Sequence, residues 1–205
     1  MIWYRIRFSL TSYFANFISK NQNQINMEDS QPAPTPLVPT PYEWAGGIEA
    51  FQKLTTVFYD KVLTDQILEP VFRNMSPEHS SHVAAFLSEC FKGPAFYSDK
   101  TGADNAMTHM VGKHLTRHLT ETQRQRWMQL ILQSADEIGM PADPEFRSVL
   151  VGHLEWGTRL AVQFSALDQN PMTTQDHTPK WGWGEVGGPY GFVEPIFRKK
   201  SPDEK

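Results

Sequence analysis

Residues 113–138 read KHLTRHLTETQRQRWMQLILQSADEI, and two features of this stretch decide the fold. Trp127, Ile131, Ala135 and Ile138 recur at three- and four-residue intervals, the period of an α-helix with one buried face. Thr120 followed by Gln123 is a capping-box pattern, so the helix is predicted to start just after Thr120. Upstream, His114 stands in a run without clear periodicity, thirteen positions before Trp127.

The same period continues outward on both sides. Ile48, Phe51, Thr55, Phe58, Tyr59 and Val62 form one apolar stripe, and Val83, Phe86, Leu87, Cys90 and Phe91 a second. Phe146, Leu150, Leu154, Gly157, Ala161 and Phe164 form another. Ser76-Pro77 and Asp143-Pro144 read as helix starts, with a capping side chain and a proline in the first turn. Gly93-Pro94 reads as a stop. No repeat and no strand pair stands out. The expectation is an all-α domain of four substantial helices, with a looser region between 94 and 119.

Composition sets the bounds. With 205 residues, 40% hydrophobic and 20% charged, the chain can bury one ordinary globular core. A net charge of -4 offers no basic surface for nucleic acid or an acidic membrane. No apolar run reaches the ~20 residues of a membrane-spanning helix, so no stable membrane insertion is expected. Cys90 is the single cysteine, which excludes an intrachain disulfide and fits a reducing, cytoplasmic setting.

Both ends differ from the middle. Residues 1–26 carry Arg5, Arg7 and Lys20 without an acid, and Ile2, Ile6, Leu10, Tyr13 and Phe17 at helical spacing. Two readings stay open: a mitochondrial-type presequence, or an extension ahead of Met27 as the true start. Prolines 32, 34, 36, 39 and 41 make residues 28–41 a linker. The expected division is an extension over 1–41, a domain over 42–168 and a tail over 169–205. Prolines and glycines break regular structure in that tail, so both extensions are expected to be disordered. Trp181, Trp183, Tyr190 and Phe192 nonetheless give the tail a reason to fold back on the domain.

Several residues with chemical potential lie on or beside these stripes. His79 shares a helical face with Val83 and Phe86. Tyr59 closes the first stripe, and Phe72 follows the Leu68-Glu69-Pro70 turn. Taken singly, each has a plainer reading as a core or surface residue. His114 with His118, and His79 with His82, have spacings that could grip zinc. No carboxylate or thiolate completes either set in a metalloprotease pattern, and zinc is not expected.

Taken in order, the set resembles the second group of truncated haemoglobins over roughly residues 42–166. Trp44-Ala45-Gly46-Gly47 is similar to the family's early double-glycine hinge, and Phe58-Tyr59 to its aromatic pair with a distal tyrosine. Val71-Phe72 matches an aromatic wall, and HSSHVAAFLSECFKGP at 79–94 resembles the distal helix and its end. His114 and Trp127-Met128 match the proximal histidine and distal tryptophan. There are departures: Lys92-Gly93 for a double glycine, Leu115-Thr116-Arg117 after the histidine, Phe72 without a hydroxyl, and a polar His79. They leave the distal hydrogen-bond network open.

The resemblance implies a truncated, two-over-two globin-like fold holding haem b (iron protoporphyrin IX), with His114 as the iron ligand. It implies Tyr59 and Trp127 as donors to the gas, and His79 as a third candidate. Phe58, Phe72, Val83 and Phe86 would be walls, and Tyr97 and Lys113 would lie at the propionate edge. The function expected is reversible binding of oxygen, with carbon monoxide or nitric oxide as further ligands. Two alternatives stay open. One is oxidation of nitric oxide or reduction of peroxide with an external reductase, since no flavin or nicotinamide fingerprint is present. The other is a haem-free helical interaction module.

Overall fold

The computed structural model describes residues 38–102 and 105–184, which lie in one compact unit. Residues 1–37, with the candidate presequence, and the tail aromatics Tyr190 and Phe192 lie outside the described residues.

Eight helices follow one another there, and no strand occurs among the described residues. Helix α1, Pro41–Ala45, opens with a capping box in which Thr40 and Glu43 satisfy each other's backbone N–H groups. Pro41, read from sequence as linker, is its first residue, where a missing N–H costs nothing. Gly46 and Gly47, at φ 102° and 73°, turn the chain into α2, Gly47–Val62. The short α3, Glu69–Phe72, follows a turn in which the Asp65 carboxylate accepts from the N–H groups of Ile67 and Leu68.

Helix α4 spans His79–Cys90. It starts later than Ser76-Pro77 suggested: Ser76 contributes its carbonyl, which accepts from the His79 N–H at 3.0 Å, and not a capping side chain. The exit is as expected in place but not in detail. Lys92 takes the left-handed conformation at φ 68°, while Gly93 is needed for space. A Cβ there would lie 2.6 Å from the Tyr42 ring and 2.7 Å from the Ser88 carbonyl.

The stretch expected to be loose holds two short helices, α5 (Phe96–Thr101) and α6 (Ala106–Gly112). Their apolar pattern is too short to register as periodic. They are held by a satellite core of Ala85, Tyr97 and Ala106, against which Phe86, Phe96 and Met110 pack. Helix α7, Glu121–Glu137, begins with the predicted Thr120–Gln123 capping box. Helix α8, Pro144–Ser165, is capped by Asp143, which accepts from the Phe146 N–H at 2.8 Å.

Packing follows from the stripes. Helix α2 packs on α4 and on α7, and α7 on α8, giving two helix pairs joined through α2. Phe51, Leu54, Phe58, Ile131, Phe146 and Leu150 are completely buried in the main core between them. Arg124 fixes α7 to α8 by reaching Glu155 at 2.5 Å. No helix among the described residues is long and apolar enough to cross a membrane.

The packed body continues past residue 168 to Gly184. The Trp181 N–H donates to the Cys90 carbonyl at 2.7 Å, and the Trp183 indole donates to the Pro39 carbonyl at 2.7 Å. Trp183 also meets Trp44 edge-on. The fold-back expected of these two tryptophans is therefore present. Beneath Trp181 lies His153 on α8, among Phe91, Trp156 and Trp181. Its Nδ1 has no hydrogen-bond partner, and burial depresses its pKa to about 4.

Two predictions follow from this packing. A histidine depressed by burial contributes full stability above its unfolded pKa, near 6.5, and that contribution is lost as pH falls towards 4. Between about pH 7.5 and pH 5, His153 should cost the folded state about 2 kcal/mol. Urea unfolding of His153→Leu at both pH values should show that much less acid sensitivity than the parent chain. Gly93→Ala should destabilise by about 1–3 kcal/mol through the clash with Tyr42 and Ser88, measured as a lowered melting temperature.

Candidate functional site

Where α2 ends and α4 begins, two polar side chains meet in apolar surroundings. Tyr59 Oη lies 2.9 Å from His79 Nε2. The rings of Tyr59, Phe72 and His79 contact one another, with centroids 5.0–6.0 Å apart. On the α7 side, Trp127 meets Phe58 edge-on at 4.9 Å. Among the described residues, nothing accepts a hydrogen bond from the Trp127 indole N–H.

The electrostatics of this corner favour neutral groups. Burial raises the Tyr59 pKa, so its hydroxyl keeps its proton. Burial also pulls His79 down to about 4, helped by the basic side chains of His114, Arg117, His82 and Lys113, whose protonation would oppose its own. A neutral His79 can donate from Nε2 to Tyr59 Oη, leaving the tyrosine O–H free to point elsewhere.

His114 lies two residues beyond α6. Its Nδ1 is 2.9 Å from the Met110 carbonyl. A carbonyl can only accept, so Nδ1 carries the proton and Nε2 keeps its lone pair. Burial lowers the pKa of His114, which favours this neutral form. The following segment is tied to the end of α8: the Thr116 N–H donates to the Leu167 carbonyl and the His118 N–H to the Ser165 carbonyl. Thr116 and His118 both adopt left-handed φ angles there.

The residues singled out from sequence divide into two groups. Tyr59, Phe58, Phe72, His79, Val83 and Trp127 lie on the main-core side. Five of them, all but Val83, are linked by ring contacts that run from His79 and Phe72 through Tyr59 and Phe58 to Trp127. Phe86 and Tyr97 belong instead to the satellite core and touch each other. The hydroxyl of Tyr97, expected at the propionate edge, lies 2.9 Å from His109 Nδ1. Lys113 is exposed and has no ion pair among the described residues. Sequence reading passed over Met110. Met110 acts through its carbonyl, for which the only sequence signal is its position four residues before His114.

A flat apolar group with a metal centre fits these residues. Phe72, Met75, Val83 and Trp127 pack against the main core yet remain half-buried, as do Phe86 and Met110 on the satellite core. The two cores stay separate, and His114 is bonded through Nδ1 to Met110, which packs on the satellite core. A group lying between them would complete the burial of both walls.

Comparison with known proteins gives the family and the fold. The model of the bacterial-like globin family matches residues 40–154. The group 2 truncated hemoglobin YjbI of Bacillus subtilis is 28% identical over 131 residues, covering 63% of this chain and 94% of its own. Among solved structures, the truncated oxygen-avid haemoglobin from Bacillus subtilis has a TM-score of 0.53 and 27% identity, covering 60% of this chain and 99% of its own. The hemoglobin of Chloroflexus aurantiacus has the same TM-score and identity, covering 60% and 97%.

Proposed function

This chain belongs to the bacterial-like globin family, and from that premise we propose that it holds haem b through His114 and reversibly binds a diatomic gas, oxygen first, beside Tyr59, His79 and Trp127. Haem binding itself follows from the family. One observation carries the assignment of residues: His114 commits Nδ1 to a backbone carbonyl, which leaves Nε2 unprotonated and free to act as a ligand.

Haem, when bound, supplies an iron with an open coordination position for the gas. The chain's own residues do the rest. His114 holds the cofactor from the satellite side. Phe72 and Val83 keep water away. The Tyr59 hydroxyl and the Trp127 indole N–H are donors for a partly charged ligand, and low polarity strengthens such bonds. His79 acts through Tyr59, fixing the direction of its O–H. A reducing, cytoplasmic setting suits a chain whose one cysteine, Cys90, is buried and unpaired.

The ligand assignment has a direct test. His114→Ala should abolish stable haem binding, read from the visible spectrum after haem addition. His118→Asn, which keeps a residue tolerant of the left-handed φ there, should bind haem normally. Loss of haem in the second variant and not the first would reverse the assignment.

The donors are tested by oxygen release in stopped flow. Trp127→Phe and Tyr59→Phe each remove one donor and keep the ring. Each lost bond to a partly charged ligand should be worth about 1.5–3 kcal/mol, or roughly ten- to a hundredfold faster release. Carbon monoxide, less charged when bound, should change much less. His79→Leu should fall between the parent chain and Tyr59→Phe. Unchanged oxygen release in both ring variants would reduce Tyr59 and Trp127 to packing.

A further inference from the structure

Residues 170–183 run across the domain as a strap that touches α6, α5, α4 and α1 in turn. Asn170 Nδ2 donates to the Thr108 carbonyl in α6 at 2.7 Å. Thr178 Oγ1 lies 3.2 Å from Ser98 Oγ in α5. Lys180 Nζ donates to the Glu89 carboxylate and to the Glu89 carbonyl in α4, both at 3.1 Å. The Trp181 and Trp183 bonds then carry the strap to Cys90 and Pro39. The family match ends at residue 154, so the strap lies outside it.

The centre of this path is a buried acid. The Glu89 side chain is 3% exposed, and it also accepts from the Ser98 N–H at 2.9 Å and the Ser98 hydroxyl at 2.5 Å. Burial pushes its pKa up, but Ser98 and Lys180 more than offset this and hold it below the usual carboxylate range. One carboxylate therefore joins α4, α5 and the strap, and its only ion pair among the described residues comes from the strap. Helix α5 is linked onward to α6 by the Tyr97–His109 bond. Helix α6 leads into His114, and α4 begins with His79. The satellite core also holds the α5–α6 segment against α4.

We propose that Lys180 is a positioning residue: by pairing with Glu89 it clamps α5 and α6 onto α4 and so fixes how His114 is presented to the pocket. This rests on His114 being the iron ligand. It gives the strap a part in gas binding that acts through α5 and α6.

The test compares Lys180→Met, the conservative Lys180→Arg, and a control, Lys61→Met, which removes another interhelical ion pair, Lys61–Glu137. Two readouts are taken. The first is amide hydrogen exchange over residues 106–113 in the haem-free protein, where Lys180→Met should exchange about tenfold faster. The control should leave that segment unchanged. The second is the iron–histidine stretching band of the ferrous haem protein, which reports how the imidazole is held. It should shift or broaden in Lys180→Met, return in Lys180→Arg, and stay put in the control. An unmoved band in Lys180→Met overturns the positioning role, whatever the exchange result, and so does an equal shift in the control. If the parent chain itself shows no iron–histidine band, the assignment of His114 fails instead. The exchange data then decide whether the strap clamps α6.

Discussion

The hydrogen bond from His114 Nδ1 to the Met110 carbonyl is the constraint on which the rest of the site depends. It is directional, because the acceptor cannot become a donor, and so it fixes both the tautomer and the ring orientation. For the carbonyl to stand where it does, α6 must keep its helical end. Seven residues are too few for a helix to be stable alone in water. The imidazole is therefore only as well placed as the contacts that hold α6: the satellite core, the Tyr97–His109 bond and the ties of Thr116 and His118 to the end of α8.

This divides the molecule into unequal halves. The main core buries several large aromatic and aliphatic side chains completely and should hold together without a cofactor. The satellite core is built on three buried residues, two of them alanines. Local stability follows buried apolar contact, so the His114 side is the part that opens first. A haem between the halves would bind only the closed arrangement and so draw them together. The distal side has no such dependence, because Tyr59 and Trp127 sit on long helices of the main core.

What the sequence made legible follows the same division. The Thr120–Gln123 box, the Asp143 cap and the four apolar stripes are local patterns, and each appears where it was read. The neighbours of Tyr59 and Phe58 were legible too, because helical spacing and the family resemblance both pointed to them. The satellite side was harder. Helices α5 and α6 are too short for their periodicity to show. The partner of His114 is a backbone carbonyl, to which no residue type corresponds. The Tyr97–His109 bond joins these two short helices, and no local pattern revealed it. Lys180 and Glu89 are 91 positions apart, so no local pattern could link them. Ser76 misled for a different reason: its carbonyl serves the helix start, which composition does not reveal.

The bond from the Trp183 indole to the Pro39 carbonyl joins positions 144 residues apart. The entropy of closing so long a loop grows only with the logarithm of its length, but it must be met in full before the contact gives anything back. Such a contact cannot nucleate folding; it forms after the helices it lies across. On the ribosome it cannot form until the last strap residues have emerged, when α2, α4, α7 and α8 are already available to pack. The two ends of the described body then lie side by side. A chain cut at the exposed Leu63–Thr64 turn and rejoined across Pro39 and Trp183 would keep every helix and turn the slowest closure into a local one.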